Sequence, residues 1–394
     1  MVTHEELLTR GVANIIPGKE ELRKFLESGK KLNIYLGIDP TATRIHIGHA
    51  VPLRKLQALA QLGHNVKFLI GDFTALIGDT SDKDTERPVL TAEQIQENFQ
   101  TYKKQAEKIV DFSKVSVVMN SEWLKKLSFE DIVKLCQHFS VGDFVGRELI
   151  RKRLQDNKRV GLHELLYPVL QGYDSYHMDT DIQIGGTDQT FNMQAGRVLQ
   201  KDLRGQESFV LATEFLIGTD GRKMSKSWGN AIWLEDTPED MYAKIMAVND
   251  ELLIEYFTLA TNVSMEKVRE IEKRLQTNEN PRDIKMELAT LLVTEIHSAQ
   301  AAEKAQDYFQ RTVQQKEMPD EIPVITVKEK LFTLTDLLVY TGLAASKSEA
   351  KRLIEQGGVE VDNERIEDPN LEIAIEDSVI LKVGKRKYIR VNKN

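Results

Sequence analysis

Apolar residues along this chain alternate between two rhythms. Ile34–Ile38, Val66–Ile70 and Val115–Met119 are short, strongly apolar runs bounded by polar residues. Such runs fit strands buried on both faces of a sheet. Between and after them, residues 48–63 and Ala92–Val110 carry apolar positions at helical spacing, which predicts helices with one buried face. A shorter run, Ile182–Ile184, precedes a helix expected near 188–201. Residues 1–30 also read as helical, because Leu7, Leu8, Leu22, Phe25 and Leu26 recur near helical spacing. Strand and helix alternating in this way predict a doubly wound α/β domain around a parallel sheet.

The rhythm breaks at 121–160, where charged helical material (Arg147, Arg151, Lys152, Arg153) reads as an insertion between two halves of the sheet. From Pro238 to about Gln315 helix formers dominate, which predicts a helical domain. The Pro- and Glu-containing stretch Lys316–Pro323 reads as a boundary. Beyond it come a leucine-rich segment, a basic helical segment near 346–354, the turn Gly357-Gly358 and short β-like runs. The expected division is therefore 1–230, 231–318 and 326–394.

Composition narrows the class. With 394 residues, 41% hydrophobic and 29% charged, the chain has the apolar mass for two or three folded domains. A net charge of −8 argues against wholesale coating of nucleic acid but leaves room for a local basic patch. The single cysteine, Cys136, excludes an intrachain disulfide and a multi-cysteine metal site. No apolar run is long enough to cross a membrane, and Met1–Arg10 is too polar for a secretory signal. A reducing cytoplasm is the expected location, with no membrane partner.

Two short segments carry chemistry. His46-Ile47-Gly48-His49 lies at the expected junction of the first strand's turn and the next helix. Helix N-termini at the carboxyl ends of strands favour anions, and glycine there lets a nucleotide approach. His46 and His49 share a helix face and can donate to phosphate. Gly218-Thr219-Asp220-Gly221-Arg222-Lys223-Met224-Ser225-Lys226-Ser227 is a Gly-flanked basic loop whose Lys223 and Lys226 can bind phosphates as point charges. An isolated H-x-G-H also suits an ordinary helix cap or another nucleotidyltransferase, and an isolated basic loop can simply be solvated.

Taken together and in this order, the two segments resemble the signatures of class I aminoacyl-tRNA synthetases. Tyr35–Thr41, Leu76–Asp79, Tyr167–Asp174 and Gln183–Gln189 further resemble the bacterial type of the tyrosyl-tRNA synthetase family. The likeness runs over essentially the whole chain. It implies a Rossmann-like catalytic domain, an all-α domain that helps bind the anticodon arm, and a small α+β S4-like domain. The implied phenol site is Tyr35 and Asp174; Asp79, Tyr167 and Gln171 would accept the substrate ammonium. Gln189 would lie near the carboxylate and adenylate. Asp39, Thr41, Gly48, Gly186 and Asp188 match adenylate or ATP positions, with Ser227 in the lysine loop. Lys83 and Arg87 match a loop that closes on pyrophosphate. The resemblance implies ATP as substrate with Mg²⁺ carried on it and no protein-bound metal. It also implies tRNA(Tyr) and tyrosine as partners, and a homodimer, for which 121–160 is the candidate interface. Leu36 departs from a cysteine common in relatives.

Residues 332–375 resemble the S4 RNA-binding module. Ser346, Lys347, Lys351 and Arg352 would offer donors to RNA phosphates, and Lys385, Arg386 and Lys387 belong to a terminal stretch with six basic residues and no acidic one. The expected function is a tyrosine–tRNA ligase. The alternatives are a tryptophanyl-tRNA synthetase, which would not be expected to keep the phenol pair, and a non-catalytic RNA-binding descendant, which would be expected to lose a motif.

Overall fold

The computed structural model describes residues 3–41, 43–79, 90–224, 228–314, 322–328, 330–384 and 387–393. The chain forms two compact units, Met1–Ala302 and Glu303–Asn394.

In the first unit six strands make one sheet: β1 (Val12–Ile16), β2 (Asn33–Ile38), β3 (Asn65–Ile70), β4 (Val115–Met119), β5 (Ile182–Gly186) and β6 (Phe209–Thr213). Their order is β1-β6-β5-β2-β3-β4. Neighbours from β6 to β4 run parallel, with Ile34 opposite both Val66 and Ile182. The order reverses between β5 and β2, which opens a crevice beyond the carboxyl ends of those two strands.

The N-terminal expectation needs correction. Residues 1–30 are not continuously helical: helices His4–Thr9 and Lys19–Glu27 flank β1, which adds antiparallel to the edge strand β6. Gly11, at φ 61°, takes the left-handed conformation that ends the first helix, and Ile15 then pairs with Leu211. The helix expected to run to Val110 spans Ala92–Ala106.

Helices Leu162–His177 and Thr190–Arg204 pack closely because glycines face neighbours where a side chain would not fit. A Cβ on Gly172 would meet the Ala195 backbone at 3.0 Å, and one on Gly196 would meet Gln183 Oε1 at 2.6 Å. The 121–160 segment forms four short helices, Ser121–Leu124, Phe129–Cys136, Val141–Val145 and Glu148–Gln155. It is tied to the helix Leu162–His177 by Arg153, which donates to both oxygens of Glu164 at 2.6 and 3.0 Å, both residues being buried.

Helices Pro238–Met246, Leu253–Ala260, Met265–Gln276 and Pro281–Ile296 belong to the first unit. Arg10 donates to the carbonyls of Phe257, Thr258, Thr261 and Val263, so a residue before β1 satisfies the open C-terminal end of one of them.

The second unit holds a five-stranded sheet, a two-stranded sheet and helices Leu334–Tyr340 and Lys347–Glu355. Its core comprises Leu334, Leu337, Leu338, Ile354, Val359, Leu381 and Val391. Ser346 caps the second helix by accepting from the Glu349 N–H at 3.2 Å.

Candidate active site

The crevice between β2 and β5 is a cleft of about 720 Å³. Its walls come from residues far apart in sequence: the ends of β2 and β5, the start of the helix Ala50–Gln61, the helix Leu162–His177 and the segment 213–224.

At the closed end lies a buried polar cluster. Tyr35, on β2, is 2% exposed and its hydroxyl donates to Gln183 Oε1 at 3.1 Å. Gln183 in turn donates to the Met193 carbonyl at 2.9 Å, which fixes the amide orientation. Asp174 is 1% exposed and accepts from Trp123 Nε1 at 2.7 Å and Asn120 Nδ2 at 3.1 Å. Burial pushes its carboxyl up to about 8, against the two donors, which favour the ionised form. Burial, the charge of Asp174 and contact with Gln171 all act on the Tyr35 phenol, and the net shift is strongly upward. Tyr35 and Asp174 therefore face the same region, but in this state neither bonds to the other.

Further out, the carboxylates are bridged by side chains rather than left open. Tyr167 donates its hydroxyl to Asp39 Oδ2 at 2.9 Å, and Thr74 donates to Asp39 Oδ1 at 2.8 Å. Gln189 donates to Asp79 Oδ2 at 2.7 Å and accepts from Asn192 at 3.1 Å. Gln171, Thr41, Gly186 and Asp188 also line the cleft. Gly186 has no room for a side chain: a Cβ would lie 2.6 Å from Asp188 Oδ1 and 3.0 Å from the Phe215 ring.

The open end carries the histidines. Residues 47–49 form a short 3-10 turn leading into the helix Ala50–Gln61, whose Pro52 lies in the first turn, where no N–H is required. The His46 and His49 rings lie 3.8 Å apart, centre to centre. The His46 backbone N–H donates to His49 Nδ1 at 3.3 Å, while His46 Nδ1 is buried without a hydrogen-bond partner among the described residues. Burial, with His49 and the nearby Lys223 charge, holds His46 down to about 2; burial holds His49 down to about 4. Both are neutral imidazoles at neutral pH, so each has one N–H to offer. Gly48 lets the backbone approach, since a Cβ would meet the His46 ring at 3.0 Å and the Leu216 carbonyl at 3.4 Å.

The two distant motifs are joined. Ile47 N donates to Ile232 O at 2.8 Å and Leu234 N to Ile45 O at 2.9 Å, so the chain leaving the lysine loop lies antiparallel to the histidine segment. Trp233 stands edge-on to His46, and the Arg44 guanidinium lies 4.7 Å over its ring. Lys223 lines the same cleft.

Residues 27–314 match the model of class I tRNA synthetases (W and Y), and residues 314–391 match the tyrosine–tRNA ligase SYY-like C-terminal domain. A tyrosine–tRNA ligase of Thermotoga maritima is 42% identical over 389 residues, covering 98% of this chain and 96% of the relative. The chain belongs to the tyrosine–tRNA ligase family. One from Carboxydothermus hydrogenoformans is 43% identical over 397 residues, covering 98% and 97%. Among solved structures, a C-terminally truncated mitochondrial tyrosyl-tRNA synthetase of Aspergillus nidulans has TM-score 0.66 at 20% identity, covering 78% of this chain and 93% of its own. The tyrosyl-tRNA synthetase of Archaeoglobus fulgidus complexed with L-tyrosine has TM-score 0.61 at 23% identity, covering 77% and 98%. These two show the fold.

Fourteen residues expected at the catalytic site thus share one cleft, from Tyr35 on β2 and Asp39 just beyond it to Lys223. Lys83, Arg87, Lys226 and Ser227 lie outside the described residues, as do Lys385 and Arg386. In the second unit Lys351, Arg352 and Lys387 are exposed, and Lys347 pairs with Asp336 at 2.5 Å. Sequence reasoning missed Trp123, Asn120, Gln183 and Thr74. The only local signal was polarity inside apolar surroundings, as at Gln183 between Ile182 and Ile184. No helix among the described residues is long and apolar enough to cross a membrane.

Proposed function

We propose that this chain activates L-tyrosine with ATP and transfers the tyrosyl group to the 3′ end of tRNA(Tyr). The observation that carries this reading is Asp174: a carboxylate buried at the closed end of a cleft whose open end holds His46, His49 and Lys223. A phenol entering there meets an acceptor in Asp174 and a donor in Tyr35, whose hydroxyl turns from Gln183 to the ligand. Phenylalanine would leave those groups unpaired in a dry site, which is the basis for its rejection. The substrate ammonium goes to Asp79, Tyr167 and Gln171, with Gln189 beside the carboxylate.

In the first step a carboxylate oxygen of tyrosine attacks the α-phosphorus of ATP. The bond to the bridging oxygen breaks and pyrophosphate leaves. The protein supplies alignment and charge stabilisation rather than a covalent intermediate. The neutral His46 and His49 donate N–H groups to the phosphates, and Lys223 and Lys226 add positive charge, with Lys83 and Arg87 assigned to the leaving pyrophosphate. Asp39, Thr41, Gly48, Gly186, Asp188 and Ser227 complete the nucleotide site. Mg²⁺ enters on the ATP phosphates. In the second step the terminal ribose hydroxyl of the tRNA attacks the tyrosyl carbonyl and AMP leaves.

The second unit's exposed Lys351, Arg352 and Lys387, with Lys385 and Arg386, are assigned to RNA phosphates, and helices within 231–318 to the anticodon arm. Within 121–160, Phe129 and Val141 are 84% and 72% exposed, and we assign that segment to a homodimer contact. Charging of a tRNA(Tyr) transcript with labelled tyrosine tests the function: tyrosine-specific charging is expected, and its absence with adenylate still formed would overturn the transfer step.

A further inference from the structure

On the N-terminal side of the lysine loop, residues 218–223 lie beside one buried side chain, Asn230, which is 3% exposed. Its Nδ2 donates to Asp220 Oδ1 at 2.7 Å and to the Lys223 carbonyl at 3.2 Å. Its own carbonyl accepts from the Thr219 N–H at 3.1 Å. One residue thus holds three points on the incoming strand of the loop. Gly218 makes room for it, since a Cβ there would lie 2.3 Å from Asn230 Nδ2. Asp220 is fixed on its other side by Arg222, whose Nε donates at 2.8 Å.

The clasp is anchored at both ends. Upstream, Asn249 N donates to Thr219 O at 2.9 Å and Tyr256 Oη to Ile217 O at 2.9 Å. Downstream, Ile232 and Leu234 pair with the histidine segment. Asn230 is therefore the point at which the backbone carrying Lys223 joins the frame that carries His46.

We propose that Asn230 is a positioning residue for adenylate formation: through the Lys223 carbonyl it fixes the direction in which the Lys223 ammonium enters the cleft. It touches no substrate. This rests on the reading of Lys223 as a phosphate-binding group. An amide suits the task because its two N–H bonds serve two acceptors on one strand while its backbone carbonyl serves a third. Aspartate cannot do so, having no donor.

The test is a double-mutant cycle in the full-length protein, with Asn230→Ala, Lys223→Ala and the double variant. Single-turnover tyrosyl-adenylate formation gives the rate, and equilibrium binding gives the tyrosine Kd. Asn230→Ser, which keeps one short donor, is run alongside so that a poorly folding alanine variant does not decide the matter. Asn230→Ala is expected to slow adenylate formation about 10- to 100-fold, as a misplaced charged group does, with tyrosine Kd within about twofold. In the Lys223→Ala background the same substitution is expected to cost less than about threefold, and Asn230→Ser to fall between alanine and wild type. An equal loss in both backgrounds, or an equal loss in tyrosine affinity, would overturn the proposal. A slow Lys223→Ala enzyme beside Asn230 variants at the wild-type rate would overturn this inference alone. A wild-type rate for Lys223→Ala would overturn the reading of Lys223 and this inference with it.

Discussion

Trp123→Phe removes one of the two hydrogen bonds that hold Asp174 at the closed end of the cleft. The indole donates from 2.7 Å to a carboxylate that is 1% exposed. Phenylalanine retains an aromatic face for His177, against which Trp123 stacks at 4.6 Å, so the change is concentrated on the lost N–H. A hydrogen bond to a charged group contributes roughly 1.5–3 kcal/mol, or about 10- to 150-fold in an equilibrium constant. The ionised form of Asp174 bears that loss, so its carboxyl, already pushed up to about 8 by burial, rises further. A protonated Asp174 is a weaker acceptor for the tyrosine phenol. Tyrosine Kd, measured by equilibrium dialysis near pH 7.5, is expected to rise by that factor, with the KM for ATP within about twofold. Discrimination against phenylalanine should shrink in parallel, because the lost energy belongs to the hydroxyl. A tyrosine Kd unchanged from wild type, or matching losses for tyrosine and ATP, would refute the assignment of Asp174 to the phenol.

Removing Glu164 leaves the Arg153 guanidinium, 3% exposed, without its carboxylate. Glu164→Ala is expected to cost about 3–5 kcal/mol in urea unfolding, and Arg153→Met with Glu164→Leu to recover most of it. Acid should also destabilise the fold through the histidine pair. Burial holds His46 down to about 2 and His49 down to about 4 in the folded chain, against about 6.5 for a free imidazole, so the unfolded chain binds the extra protons. Stability is full above 6.5 and falls as pH drops, towards 4 for His49 and towards 2 for His46, by on the order of 2 kcal/mol per histidine at pH 5. The His46→Asn, His49→Asn double variant should lose correspondingly less between pH 7.5 and 5; an identical loss would count against neutral, buried imidazoles.

What was legible in the sequence was whatever periodicity or a contiguous motif encodes. β2, β3 and β4 are predominantly apolar runs, and their order with the intervening helices predicts the sheet and its crevice. β1 was hidden because Val12–Ile16 sits between two short helices whose leucines share one apparent period. β6, Phe209–Thr213, is an apolar run of the same kind, buried throughout, that the sequence reading left out. The histidine and lysine segments were readable as motifs, but their joining through Ile232 and Leu234 depends on pairing across the fold. The same holds for Trp123 on Asp174, residues 51 apart in sequence. Asp39 illustrates the limit: its position was expected in the nucleotide site, whereas its partners Tyr167 and Thr74 exist only once β2, the helix Leu162–His177 and residues 74–77 converge.

The most direct test of the account is amino-acid-dependent exchange of pyrophosphate into ATP, with tyrosine, phenylalanine and tryptophan compared in the same preparation. Exchange is expected with tyrosine, little with the other two, and Asp174→Ala is expected to lose that preference. Exchange driven equally by phenylalanine or by tryptophan would contradict the phenol site, and no exchange with any of the three would contradict the adenylate chemistry assigned to the cleft.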